Sequence, residues 1–122
     1  YAQAERYLRQ ALEDLSDALV VQQASLRLSL LYKQLDRRAE AIGLWEALAQ
    51  DSTADAFASI EACTELAKYY EWHDINLPQA LAWTRRALAI AASLPDRVAR
   101  SQVLPEVEHR RQRLVRKIAR TA

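Results

Sequence analysis

A single glycine, Gly43, stands in 122 residues, which excludes the glycine-rich loops that cradle phosphates in nucleotide-binding sites. Only three prolines accompany it, so few turn formers remain for the reversals of a sheet, and a 51% hydrophobic content rich in alanine and leucine points to an all-helical chain. Cys63 is the sole cysteine. That excludes an internal disulfide framework and a thiolate metal cluster. On the inner face of a predicted helix, with no histidine beside it in the pattern, it reads as a buried structural thiol rather than a nucleophile. No apolar run approaches the roughly 20 residues that span a bilayer, and no signal-peptide pattern occurs. A cytoplasmic chain without a membrane partner is the expectation. Methionine is absent and the sequence begins at Tyr1, which reads as a piece of a longer polypeptide. The length suits one domain, residues 1–122.

What is present is a pattern used twice. Leu28, Ser29 and Tyr32 share one helical face, and after the polar break at Asp36-Arg37-Arg38 a second helix carries Ala41, Leu44, Trp45 and Leu48. Leu66, Ala67 and Tyr70 repeat the first set. The break from Asp74 to Asn76 follows, then Ala80, Leu81, Trp83, Thr84 and Ala87. Tyr32 and Tyr70 are 38 residues apart, Ala41 and Ala80 39. A tetratricopeptide repeat has a period of about 34, with a small residue, an aromatic three later and a small residue opening its second helix. Two helices cross closely only where one offers a short side chain, and Ser29, Ala67, Ala41 and Ala80 supply these.

The predicted elements follow in order. An amphipathic helix from Ala2 to Leu15 places Ala4, Tyr7, Leu8, Ala11, Leu12 and Leu15 inward and Glu5, Arg6, Arg9 and Gln10 outward. Ser16 and Asp17 favour a break or bend, after which this helix would cap the array, although no glycine or proline enforces the stop and one long helix is the alternative. Residues 18–50 form hairpin 1 and 54–93 hairpin 2, joined by the polar link Asp51-Ser52-Thr53. Gly43 beside Trp45 reads as a close helix approach. Pro78 opens the fourth repeat helix. Leu94-Pro95-Asp96 then breaks the chain, and residues 96–120 cap it, with a short helix from Val98 to Val103 and a last one from Pro105. That last helix has Val107, Leu114, Val115 and Ile118 as its apolar stripe, with Arg110, Arg113, Arg116, Lys117 and Arg120 opposite.

The net charge of +1 conceals an asymmetry. Residues 1–95 carry 9 Lys or Arg against 13 Asp or Glu, and residues 96–122 carry 8 against 3. The basic end has three possible fates: a solvated face, contact with nucleic-acid phosphates, or docking on an acidic protein surface. No aromatic residue lies in 96–122 to stack on bases. In helical repeats the first helix of each hairpin lines the concave side. That assigns Arg27 and Lys33, with Gln23, Leu26, Leu30 and Gln34, and then Lys68, Glu71 and Trp72, with Glu61, Thr64 and Glu65, to a groove able to take a peptide.

Catalytic constellations are weak. There is no HExxH, and His73 and His109 stand 36 residues apart. Metal binding would need their helices to converge, and ordinary solvated histidines are the simpler reading. The spacing of Glu61 with Glu65 and of Lys68 with Glu71 is ordinary for exposed helix faces, where it equally produces surface ion pairs, with nothing in the sequence to indicate a shifted pKa. No cofactor is expected.

Tyr32-Lys33, Ala41 through Leu44-Trp45-Glu46, the run Leu66-Ala67-Lys68-Tyr69-Tyr70-Glu71, and Glu108-His109-Arg110 followed by Arg113-Leu114 and Lys117 together resemble a C-terminal module. It is the tetratricopeptide-like tail of bacterial proteins whose N-terminal part is a ribonuclease H-like, 3′-5′ exonuclease-type domain. The pattern departs from that family where Trp72 stands between Glu71 and His73, and in the link from Asp74 to Pro78. The resemblance implies a right-handed array of two hairpins and an accessory module that is not itself an enzyme. It would be appended to a nuclease-like domain, with that upstream domain, another protein or nucleic acid as partner. The candidate nucleic-acid or partner residues are Arg110, Arg113, Arg116 and Lys117. The alternative is a protein- or peptide-binding module using the groove residues.

Overall fold

The computed structural model describes the backbone of residues 2–14, 18–51 and 55–121, and side chains at 2–10, 22–51 and 55–121. All regular structure in it is helical: α1 (Ala2–Asp14), α2 (Ala18–Gln34), α3 (Arg38–Gln50), α4 (Ala56–Trp72), α5 (Leu77–Ala92) and α6 (Arg97–Thr121). The expected break at Ser16-Asp17 and the link residues Ser52 and Thr53 lie outside the described residues. Two compact units, Tyr1–Ala62 and Cys63–Ala122, divide the chain inside α4.

In the first unit α2 packs on α3 and α1 on α2. Trp45 of α3 is 2% exposed and Ser29 of α2 is fully buried. The indole Nε1 donates to Ser29 Oγ at 2.8 Å, and that hydroxyl donates to the Leu26 carbonyl at 2.6 Å. The short side chain therefore does two things: it lets the helices approach and it satisfies the buried indole donor. α1 makes polar contacts with α2 through Glu5 and Arg9, residues the pattern had placed outward. Arg9 Nε donates to the Tyr32 hydroxyl at 2.8 Å, that hydroxyl lies 3.3 Å from Glu5 Oε1, and Arg37 Nη1 donates to Glu5 Oε2 at 2.6 Å. Tyr7 is 73% exposed and Ala4 is exposed. The hydroxyl of Tyr32, a residue 2% exposed, needs partners, and the charged side chains of α1 supply them.

α4 begins later than the pattern indicates because Asp55 caps it. Its Oδ2 accepts from Ala58 N–H at 3.2 Å while its own N–H donates to Gln22 Oε1 at 2.8 Å.

In the second unit Ala80, Leu81 and Leu114 form a core cluster that Tyr70, Leu77 and Ile118 pack against. Asn76 caps α5 by accepting from Gln79 N–H at 3.2 Å, and Pro78 occupies its first turn, where a missing N–H costs nothing. Two expectations for α6 fail. It is one helix with Pro105 inside it, rather than a short helix followed by another starting at that proline. Asp96 supplies the true start, its Oδ1 accepting from Val98 N–H at 3.1 Å. Val115, assigned to the apolar stripe, is 39% exposed, whereas Val107 and Leu114 are buried.

The turns that follow α2 and α4 share a register. Asp36 and Ile75, 39 residues apart, both take positive φ, 60° and 44°, and each stands five residues before a fully buried alanine, Ala41 or Ala80. At the first turn Arg37 N–H reaches the Tyr32 carbonyl at 2.7 Å and Asp36 N–H the Lys33 carbonyl at 3.2 Å, a Schellman closure made without glycine. At the second, a β-branched residue in this conformation is strained. The positions of Ser29 and Trp45 become Ala67 and Thr84, both buried, and Thr84 Oγ1 donates to the Ala80 carbonyl of its own helix at 2.9 Å. The hydroxyl acceptor and the indole donor are thus both missing from these two positions in the second unit, but Trp83, one residue before Thr84, brings an indole whose Nε1 is buried without a hydrogen-bond partner among the described residues.

Gly43 is exposed on α3, and an added Cβ would meet nothing within 4 Å, so it marks no close approach. Gly43→Ala is therefore expected to stabilise the chain by about 1 kcal/mol through helix propensity. The check is the urea midpoint, which should rise; an unchanged or lowered one would mean the glycine is needed.

Candidate functional site

The last turn of α4 and the middle of α6 build the most concentrated polar site among the described residues. Arg110, Arg113 and Lys117 are spaced three and four apart, so one face of α6 presents all three. They converge on Glu71, whose side chain is fully buried. Arg113 grips the carboxylate with two donors, Nη2 to Oε1 at 2.8 Å and Nε to Oε2 at 3.0 Å. Lys117 Nζ donates to Oε2 at 2.7 Å, and Arg110 Nη1 stands 3.8 Å from Oε1. Burial by itself would push the Glu71 carboxyl up. The hydrogen bonds and charges of Arg113 and Lys117 outweigh that and hold it below the usual carboxylate range. In return, the hydrogen bond to Glu71 raises Arg113.

Trp72, the next residue, extends the site to the surface. It is 57% exposed, Lys117 Nζ lies 3.8 Å from the centroid of its ring, and Arg113 Cζ lies at 6.0 Å. Lys117 thus bridges a buried carboxylate and an exposed aromatic face.

The residues assigned to two separate features therefore meet. Glu71 does not face a groove; it is the internal anion for Arg110, Arg113 and Lys117. Its pairing is with α6 and not with Lys68, whose Nζ is 3.5 Å from Glu65 Oε1. Arg116 and Arg120 are exposed. Arg27 is exposed on α2, and Lys33 of the same helix is partly buried. Sequence reasoning placed no aromatic beside the basic helix because it looked only within 96–122, whereas Trp72 comes from another helix.

The other chemical candidates are quiet. Cys63 is fully buried and burial pushes its thiol up to about 11, which leaves it protonated at neutral pH. His73 stacks on Tyr69 with ring centroids 6.1 Å apart. Among the described residues no three His, Cys, Asp or Glu gather closely enough to hold a metal ion, and no helix is long and apolar enough to cross a membrane.

The fold and site define an all-helical protein whose main polar centre is an ion cluster clamped between two helices. The chain is 35% identical over 95 residues to the uncharacterized protein YprB of Bacillus subtilis (strain 168), a match covering 78% of this chain and 21% of that protein. It thus spans about a fifth of that relative's length. No family model matches the chain. No solved structure matches it either.

Proposed function

We propose that this chain is a tetratricopeptide-like, non-catalytic interaction module of a larger protein carrying a ribonuclease H-like nuclease domain, and that α6 helps to position nucleic acid. The repeat reading is supported by the shared register of the Asp36 and Ile75 turns and by the buried Ser29, Ala67, Ala41 and Ala80. The similarity to a fifth of YprB's length fits a module within a longer chain.

The observation that carries the nucleic-acid reading is the imbalance at Glu71. Three cations surround a single carboxylate, and Arg116 and Arg120 are exposed on the same helix. Such a surface attracts phosphates and releases their counterions. Arg113 and Lys117 are structural as well, so the test belongs on the exposed pair. Arg116→Gln with Arg120→Gln should leave the fold intact and weaken oligonucleotide binding at low salt. The slope of log affinity against log salt should fall by about 0.7 to 0.9 for each arginine that contacts a phosphate. An unchanged affinity and slope would remove α6 from the interface.

A further inference from the structure

We propose that Trp72 is a base-stacking platform at the edge of the α6 cations, so that this surface takes single-stranded nucleic acid in preference to duplex. The inference rests on the reading of α6 as a nucleic-acid contact and adds to it the class of strand recognised.

Tryptophan is mostly buried in folded proteins, and an indole left 57% exposed beside a charged cluster calls for an explanation. Lys117 Nζ sits over one face of the ring, 3.8 Å from its centroid, and is itself tied to Glu71 at 2.7 Å, so the indole is oriented and a base would stack on the face away from Lys117. Arg110, Arg113 and Lys117 together exceed the single charge of Glu71 by two. Glu108, the nearest carboxylate along α6, is already engaged by Arg111 and Gln112. An oriented aromatic face with excess positive charge a few ångströms away matches what an unpaired nucleotide offers: a flat base and the phosphate attached to it. In a duplex the base faces are covered by their neighbours, so only the phosphates could be used. An acidic peptide would satisfy the charges and leave the indole without a stacking partner.

The test is binding of the 122-residue chain to a labelled oligothymidylate of about 12 nucleotides and to a duplex of equal length. Intrinsic tryptophan emission is followed in parallel. Trp45 is buried and Trp83 partly so, which leaves Trp72 as the most exposed reporter. Expected are tighter binding of the single strand, quenching of the emission, and about a tenfold loss of single-strand affinity in Trp72→Leu with duplex affinity unchanged. Trp72→Phe should recover most of the loss. The proposal is overturned by equal affinity for the two strands forms, by a Trp72→Leu variant that loses nothing or loses both alike, or by polyglutamate displacing the oligonucleotide at equal charge. Absence of binding to either nucleic acid would instead take away the reading of α6 on which the proposal stands.

Discussion

Glu71→Ala is expected to destabilise the chain by about 3 kcal/mol, the lower end of the cost of breaking a buried ion pair. The lower end applies because the side chains of Arg113 and Lys117 keep 31% and 29% of their exposure and can turn toward water once the carboxylate is gone. Glu71→Gln separates charge from packing: it preserves the volume, but its amide N–H groups face cationic donors, and most of the same loss should follow. Arg116→Gln, at an exposed position, is the control and should stay within about 0.5 kcal/mol of the parent. Urea unfolding measures all three. A Glu71→Gln variant as stable as the parent would mean the cluster contributes nothing to folding.

The same residue sets an acid limb. Its carboxyl is held below the ordinary value of 4.5 in the folded chain, so between the two values the unfolded chain binds the proton more readily. Stability from this group is fully present above the unfolded value and is lost as pH falls through the folded one. Glu108, held low chiefly by its hydrogen bond from Arg111, and Glu5, where burial is outweighed by Arg37, Arg9 and Tyr32 together, add slopes of the same sign. Glu71→Gln should therefore flatten the acid limb in part.

Trp45→Ala should cost about 3 to 5 kcal/mol, the range for removing a buried aromatic side chain. Ser29→Ala removes only an oxygen, yet it leaves the buried indole N–H without its 2.8 Å acceptor, for which about 1 to 3 kcal/mol is expected. In a Trp45→Phe background, where no donor remains, the same serine change should cost clearly less. A double-mutant cycle by chemical denaturation reads the difference directly. Equal costs in the two backgrounds would show that Ser29 acts through its size alone.

The helices were legible because their signals are local. The helix after the break at Asp36-Arg37-Arg38 is read from the spacing of Ala41, Leu44, Trp45 and Leu48, and α3 carries all four. The small residues Ser29, Ala67, Ala41 and Ala80 were recognised as crossing points and all are fully buried. Glu71 was misread because its partners lie 42 and 46 residues away in sequence, where no periodicity carries a signal. Its neighbour Lys68, three residues distant, offered a plausible local pair instead. The inward role of Arg113 and Lys117 was hidden for a related reason. Both flank the stripe of Val107 and Leu114, and a binary pattern assigns any cation to solvent. Pro105 misled in the opposite direction: proline is so frequent in the first turn of a helix that its position looked like a start.

That proline divides α6 mechanically. Lacking an N–H, it leaves the Ser101 carbonyl without its usual partner one turn ahead, a missing rung in a rod of 25 residues. Upstream, the rod is anchored by Asp96 at its tip and by Arg100, whose Nη1 reaches the Leu94 carbonyl at 2.6 Å; downstream, by Val107, Leu114 and the grip on Glu71. With both arms secured and the joint between them weakened, thermal bending of α6 concentrates between Ser101 and Pro105.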